Sequence, residues 1–66
     1  MYRFKLTAKQ DMYGKIKKGM VVYALQESAT NPTPQVIQTG WKNIGIDVPL
    51  TCCQFMSYMI EKELVR

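Results

Sequence analysis

The chain has no histidine and only two cysteines, which stand next to each other at positions 52 and 53. Adjacent cysteines cannot tie distant segments together, and a disulfide-stapled domain of this size carries roughly four to eight spaced cysteines. Two thiols without histidine also fall short of the ligand set of a structural zinc site. The composition therefore excludes a disulfide scaffold and a Cys/His zinc site, and we expect no cofactor.

A long apolar run is missing as well. The longest apolar-rich stretch without a charged residue covers the thirteen residues 48–60, whereas a membrane-spanning helix needs about 20. The first residues alternate charged and apolar side chains, where a signal peptide requires an unbroken apolar stretch. We therefore expect a soluble, cytoplasmic protein with free thiols and no membrane contact.

The length limits the stability of the fold. Chains as short as these 66 residues bury only about 60% of the surface that the unfolded chain exposes. Self-association is one way to bury more, because stability is marginal at this size. We expect residues 1–66 to form a single domain whose partner is a second copy, as a homodimer, or another protein.

Two segments have the period-two alternation of β-strands. Residues 2–8 place Tyr2, Phe4, Leu6 and Ala8 on one side and basic or polar residues on the other. Residues 20–26 are apolar on both sides, which predicts a central strand or one that is covered on both faces. Between the two strands, a turn at 10–14 and a Lys18-Gly19 turn flank a predicted short strand around Ile16.

A helix with distinct ends is predicted after residue 33. Thr33 is a suitable N-cap, and Pro34 fits the first turn because its missing N–H is not needed there. Ile37, Trp41 and Ile44 lie at i, i+4 and i+7 and form one apolar stripe. Gly45 can take the left-handed conformation and fold Ile46 back in a Schellman ending. Trp41 is then the anchor of the core, and we expect Phe4, Val22 and Ile46 around it.

Residues 52–64 are compatible with two structures. In a helix, one side would consist of Cys52, Phe55, Met56, Met59, Ile60 and Leu64. In a strand, one face would consist of Met56, Tyr58, Ile60, Lys62 and Leu64. Periodicity alone does not separate a helix from a strand over so short an apolar run. The helix-forming residues near the end favour the helix slightly.

Four segments carry a resemblance to a known family: YRFKLT, GKIKKGMVV, an NP before a helix that ends in WKNIGID, and MSYMIEKEL. Together they make the chain similar to a family of small uncharacterised bacterial proteins. That family has an N-terminal strand, an I-x-K-G-M hairpin, a helix ending in G-I-D and a C-terminal strand. The resemblance implies a strand over residues 55–64. It implies no activity and no site residues, because the family has no established function.

The combined prediction is an α+β fold in the order ββ(β)αβ. It consists of a small antiparallel-rich sheet of three to four strands packed against one helix, and the alternative is a helical C-terminal segment.

We find no catalytic constellation in the sequence. No Lys or Arg lies within eight residues of Cys52-Cys53 to lower a thiol pKa. Glu61 and Glu63 share one face of a strand but have no feature of an acid–base pair. The glycines and lysines of residues 14–19 do not match a phosphate-binding loop. We therefore expect that the protein is not an enzyme.

Basic residues concentrate at the start of the chain. The net charge is +4, but residues 1–19 carry six basic side chains and one acidic side chain. Arg3 and Lys5, with Lys15 and Lys17 on the neighbouring strand, could line one sheet face, and in a nucleic-acid-binding protein they would contact phosphates. Lysine-rich strands also serve as a common protection of sheet edges. The expected function is therefore a self-associating interaction or assembly module, and the alternative is a small nucleic-acid-binding protein.

Overall fold

The computed structural model describes residues 1–65. In chain order, its elements are β1 (Tyr2–Ala8), β2 (Val21–Gln26), α1 (Pro34–Lys42), α2 (Leu50–Met56) and β3 (Ile60–Val65). The three strands form one antiparallel sheet in the order β2-β1-β3. Both helices pack against this sheet, so the expected α+β class is confirmed, with one helix more than expected.

The first strand has the predicted bounds, and its alternation is that of a half-buried strand. Phe4, Leu6 and Ala8 are buried, and Arg3 on the opposite face is exposed. On the neighbouring strand, Val22 and Ala24 are buried in the same layer. These residues form the floor of the core, because side chains of a strand point alternately to its two faces.

The connection between β1 and β2 does not contain the short strand predicted around Ile16. Ile16 instead forms an isolated bridge with Met12, across a tight turn in which Tyr13 and Gly14 have φ angles of 53° and 68°. Both bridging residues are buried in the core. The chain reverses after three residues, and this turn leaves no length over which a ladder could form.

A glycine bulge joins this connection to β2. Gly19 has a φ angle of +90° and donates its N–H to the carbonyl of Ala8 at 2.9 Å, while Ala8 donates to Met20 at 2.9 Å. Gly19 and Met20 thus both lie opposite Ala8 of β1. Two residues opposite one, with glycine in the left-handed conformation, form a G1 bulge. The bulge fixes the register with which β2 continues along β1.

Helix α1 begins as the sequence predicts and is followed by the predicted backbone motif, but it ends at Lys42, and the prediction of Ile44 in its apolar stripe is wrong because Ile44 is 50% exposed. The Thr33 hydroxyl accepts the N–H of Val36 at 3.3 Å, and Pro34 stands in the first turn. At the other end, Ile46 donates to the Trp41 carbonyl at 3.0 Å and Gly45 donates to Lys42 at 2.9 Å. With a φ angle of +85° at Gly45, these two bonds form the predicted Schellman motif.

The C-terminal third contains both structures that its periodicity allows, one after the other. The prediction of one strand over residues 55–64 is wrong in its first part, because α2 extends to Met56 and β3 starts only at Ile60. Cys52 and Cys53 donate their N–H groups to the Pro49 carbonyl and start the helix. The bonds Tyr58 to Phe55 and Met59 to Met56 form the turn before β3. The helical alternative therefore holds for residues 52–56 and the predicted strand for residues 60–64.

The core lies between the helices and one face of the sheet. Trp41, Ile37, Cys53 and Met56 contribute fully buried side chains from the helices. Helix α1 approaches β2 closely at Gly40, where a β-carbon would lie 3.4 Å from that of Ala24. Among residues 1–65, no helix or strand covers the opposite face of the sheet, and that face carries the candidate site.

Candidate interaction surface

The uncovered face of the sheet, called here the outer face, is organised in three columns, one on each strand. The β2 column is apolar, the central β1 column is basic and polar, and the β3 column is mainly acidic. The cross-strand register aligns the columns in three rows, which are Val21-Thr7-Glu61, Tyr23-Lys5-Glu63 and Leu25-Arg3-Val65. The outer face therefore changes from apolar to acidic across the width of the sheet.

The β2 column is the most unusual part of this face. Val21, Tyr23 and Leu25 are exposed by 39%, 49% and 60%. The prediction that β2 is central or covered on both sides is wrong, because β2 is an edge strand and α1 packs only on its inner face. Single exposed apolar side chains are normal, whereas neighbouring ones join into patches, and large apolar patches are typical of interaction sites. The three side chains form a contiguous set.

The backbone of β2 adds unused hydrogen-bonding groups at the same residues. Ala8 donates to Met20, and bonding alternates along an antiparallel ladder. Within β2, the residues that bond β1 are therefore Val22, Ala24 and Gln26. The N–H and C=O groups of the remaining residues of β2, which are Val21, Tyr23 and Leu25, point away from the sheet. Among residues 1–65, no strand pairs with this edge.

The opposite edge of the sheet has a different character. On β3, Glu61, Lys62 and Glu63 follow one another, and charged side chains are a usual protection against edge-to-edge pairing. The Lys62 ammonium also donates to the carbonyl and the hydroxyl of Ser57 at 3.0 and 2.9 Å. The two edges therefore differ within residues 1–65: three exposed apolar side chains alternate along β2, whereas charged side chains occupy residues 61–63 of β3.

The basic residues singled out in the sequence do not form one row. Arg3 and Lys5 lie in the middle column, between apolar and acidic neighbours. The Arg3 guanidinium carbon lies 5.2 Å from the centroid of the Tyr23 ring, which is a cation–π distance. Lys15 and Lys17 lie in the β1–β2 connection and not on the neighbouring strand, which corrects the expected arrangement. Lys15 donates its ammonium to the Asp47 carbonyl at 3.1 Å.

A shallow depression of about 270 Å³ lies on the acidic side of the sheet. It is lined by Lys5, Thr7, Glu61, Lys62 and Glu63. These charges have both signs and alternate, and the two glutamates are exposed. The depression is therefore a polar surface feature with charged side chains of both signs.

The two thiols lie on α2 and differ in burial. Cys53 is fully buried, and burial, followed by the neighbouring Cys52 thiol, raises its pKa. A raised pKa makes a thiol less reactive, because the thiolate is the nucleophile. The Tyr13 hydroxyl donates to the Cys52 carbonyl at 3.2 Å and fastens the β1–β2 connection to α2. Burial, followed by the nearby Cys52, also raises the pKa of Tyr13.

Residues 1–65 contain no group of three or more histidine, cysteine, aspartate or glutamate side chains that could hold a metal ion. None of the helices in this range has the length and apolar character needed to cross a membrane.

The pattern of β2 was visible in the sequence, but its exposure was not. Apolar residues on both sides of β2 predicted that both faces of the strand are covered. The structure instead places β2 at the edge of the sheet, with one of its apolar rows on the uncovered face. Exposed aromatic residues also occur at the end of α2, where Phe55 and Tyr58 are exposed by 65% and 85%. No signal in the sequence separated these from core residues.

Comparison with known proteins finds no match to this chain among protein-family models, curated proteins or solved structures. The resemblance to small bacterial proteins therefore stays a prediction. The fold and its surface define a class in structural terms: a small α+β protein with two helices on one face of a three-stranded antiparallel sheet.

Proposed function

We propose that the protein is a non-enzymatic interaction module that self-associates through the apolar β2 column. The observation that carries the proposal is the contiguous exposure of Val21, Tyr23 and Leu25 on a strand with an open edge. Burying apolar surface contributes about 25 cal/mol for each Å² that is removed from water. A second copy is a suitable partner because a chain of this size leaves much apolar surface uncovered.

Sedimentation equilibrium tests this function with two matched variants. Tyr23→Lys places a charge in the β2 column, and Tyr58→Lys makes the same change at an exposed tyrosine outside the column. We expect the average mass of the wild-type chain to rise towards a dimer with concentration. Tyr58→Lys should behave in the same way, while Tyr23→Lys should stay monomeric.

Two results would contradict the proposal. A wild-type chain with a monomer mass at every concentration would refute self-association. Dissociation by Tyr58→Lys alone would move the interface from the sheet to the end of α2. Circular dichroism and the fluorescence of Trp41 verify that each variant is folded.

Nucleic-acid binding is a second candidate, supported by the β1–β2 connection. This segment contains four exposed lysines, namely Lys9, Lys15, Lys17 and Lys18. Its one carboxylate, on Asp11, accepts the N–H of Lys18 at 2.8 Å. The excess of positive charge at this end of the sheet is suited to phosphates, and Arg3 and Lys5 would extend the contact along β1.

Fluorescence anisotropy with labelled DNA and RNA tests this candidate. Binding should weaken steeply with salt, and Lys17→Ala should reduce the slope of log K against log salt by about 0.7–0.9. Lys42→Ala, at an exposed lysine of α1, is the control and should leave the slope unchanged. Absence of binding to both nucleic acids at low salt would refute this function.

A further inference from the structure

We propose that two copies of the chain join along their β2 edges, antiparallel and about a two-fold axis at Tyr23, to form one six-stranded sheet. This inference rests on the proposed self-association and specifies its partner, edge and register. It makes the second copy an extension of the sheet rather than a layer stacked on the outer face.

The backbone of β2 supports this arrangement. The outward N–H and C=O groups belong to Val21, Tyr23 and Leu25, which are every second residue of the strand. An antiparallel copy offers the same groups in reverse order. With Tyr23 opposite Tyr23 of the second copy, the three outward N–H groups of each chain all find a carbonyl across the edge.

The side chains fit the same register. Val21 is opposite Leu25 of the second copy, and the two tyrosines are opposite each other. All six side chains lie on the outer face and form one apolar strip across the new junction. Aromatic and aliphatic cross-strand neighbours of this kind stabilise antiparallel pairs.

The charges beyond the ends of β2 are complementary under a two-fold axis. Lys17 and Lys18 precede the strand and Glu27 follows it. Antiparallel pairing brings Glu27 of one copy near the lysines of the other, and the symmetry makes this contact twice. A parallel pairing would instead bring like charges together.

Neighbouring registers are less favourable. A shift of two residues in one direction places Glu27 opposite Val21. A shift in the other direction places Leu25 opposite Gly19, whose N–H is already donated to Ala8. If β2 of one copy paired with the β3 edge of another, its apolar side chains would lie beside Glu61 and Glu63. Such unlike edges would also add copy after copy to the sheet and would not form a closed dimer.

Cysteine pairing tests the axis directly. In a Cys52→Ser background, with Cys53 fully buried, single cysteines are introduced by Tyr23→Cys, Val21→Cys, Leu25→Cys and Lys5→Cys. Opposed residues of a hydrogen-bonded antiparallel pair have Cα atoms about 5.5 Å apart, which suits a disulfide. With oxidised glutathione, we expect a covalent dimer only for Tyr23→Cys, because only residue 23 is opposite itself.

A backbone variant tests the edge independently. Val21→Pro removes an N–H that makes no bond to β1, and proline is tolerated on edge strands at such positions. Each dimer loses two hydrogen bonds, so the dissociation constant should rise about tenfold. Val21→Thr keeps the N–H and the β-branched shape. Its dissociation constant should therefore stay within about threefold of the wild-type value. The far-ultraviolet circular dichroism of both variants should match the wild type.

The outcomes separate the two proposals. A wild-type dimer in which Tyr23→Cys does not cross-link and Val21→Pro has no effect would overturn the β2 pairing and leave self-association intact. Cross-linking of Val21→Cys or Leu25→Cys would overturn the register at Tyr23. A chain that is monomeric at every concentration would overturn both proposals together.

Discussion

Trp41 shows how one residue can stabilise a small core without a hydrogen bond. Its side chain is fully buried, and its indole N–H has no hydrogen-bond partner among residues 1–65. An unpaired buried donor is unfavourable by about 1–3 kcal/mol. The contribution of Trp41 to stability therefore comes from its apolar bulk, and the polar nitrogen opposes it.

We expect Trp41→Ala to unfold the protein and Trp41→Phe to leave it folded. Truncation of a buried tryptophan to alanine destabilises by about 3–5 kcal/mol, which is most of the stability of a small domain. Phenylalanine leaves a smaller cavity and breaks no hydrogen bond, so the loss should be about 1–2 kcal/mol. Urea denaturation followed by circular dichroism measures both. A loss in Trp41→Phe as large as that in Trp41→Ala would contradict the assignment of this stability to apolar bulk.

The cysteines should differ in reactivity although they are adjacent. Cys52 is half-buried and Cys53 is fully buried with a raised pKa. At neutral pH, iodoacetamide should modify Cys52 in the folded protein and Cys53 only after unfolding, as mass spectrometry can detect. Equally fast modification of both would contradict the packing of α2.

The raised pKa of Cys53 also has a consequence for stability. A folded state that disfavours the thiolate loses stability as the pH rises above the pKa of the unfolded thiol. The free energy of unfolding should therefore fall above about pH 8.5. Cys53→Ala is the control and should weaken this dependence. A pH dependence that is unchanged in the variant would assign it to other groups.

At the scale of elements, the end of α1 depends on one backbone conformation. Gly45 has a φ angle of +85°, and a β-carbon at this position would meet no atom within 4 Å. Gly45→Ala should therefore destabilise by about 1–2 kcal/mol through the left-handed backbone alone. Gly45→Asn should lose clearly less stability than Gly45→Ala, because asparagine tolerates the left-handed conformation. Thermal denaturation of the pair checks this, and equal melting temperatures would contradict the Schellman ending.

The elements that the sequence predicts well are those with local signals at their ends. Thr33 and Gly45 mark the two ends of α1 through side-chain and backbone bonds that depend on nearby residues only. Strand β1 has a full alternation from Tyr2 to Ala8. Residues 50–65 lack such marks, because an apolar run from α2 into β3 satisfies both periods at once.

The candidate surface was only partly predictable, for a related reason. The apolar residues on both sides of β2 are evident in the sequence, but whether a row is covered depends on which strand lies at the edge. That order is set by contacts between segments far apart in the chain, such as Phe4 with Ala24 on one side and Leu64 on the other. A local pattern does not contain this information.

At the scale of the whole molecule, one layer of helices covers one face of a sheet that has two faces. The inner face is apolar and buried, and the outer face changes from apolar at β2 to acidic at β3. This gradient makes the two edges chemically different. In the proposed β2 pairing, like edges meet in an antiparallel arrangement, and such a pairing closes after two copies instead of growing into an open-ended fibre.

The thermal stability of the whole molecule should depend on its concentration. If folded chains associate and unfolded chains do not, association stabilises the folded state by mass action, and the melting temperature rises with protein concentration. We expect a continuous rise over a hundredfold concentration range, measured by circular dichroism in cells of different path length. Tyr23→Lys should melt at one temperature throughout that range, and Tyr58→Lys should follow the wild type. A wild-type melting temperature that does not change with concentration would show that folding and association are not coupled.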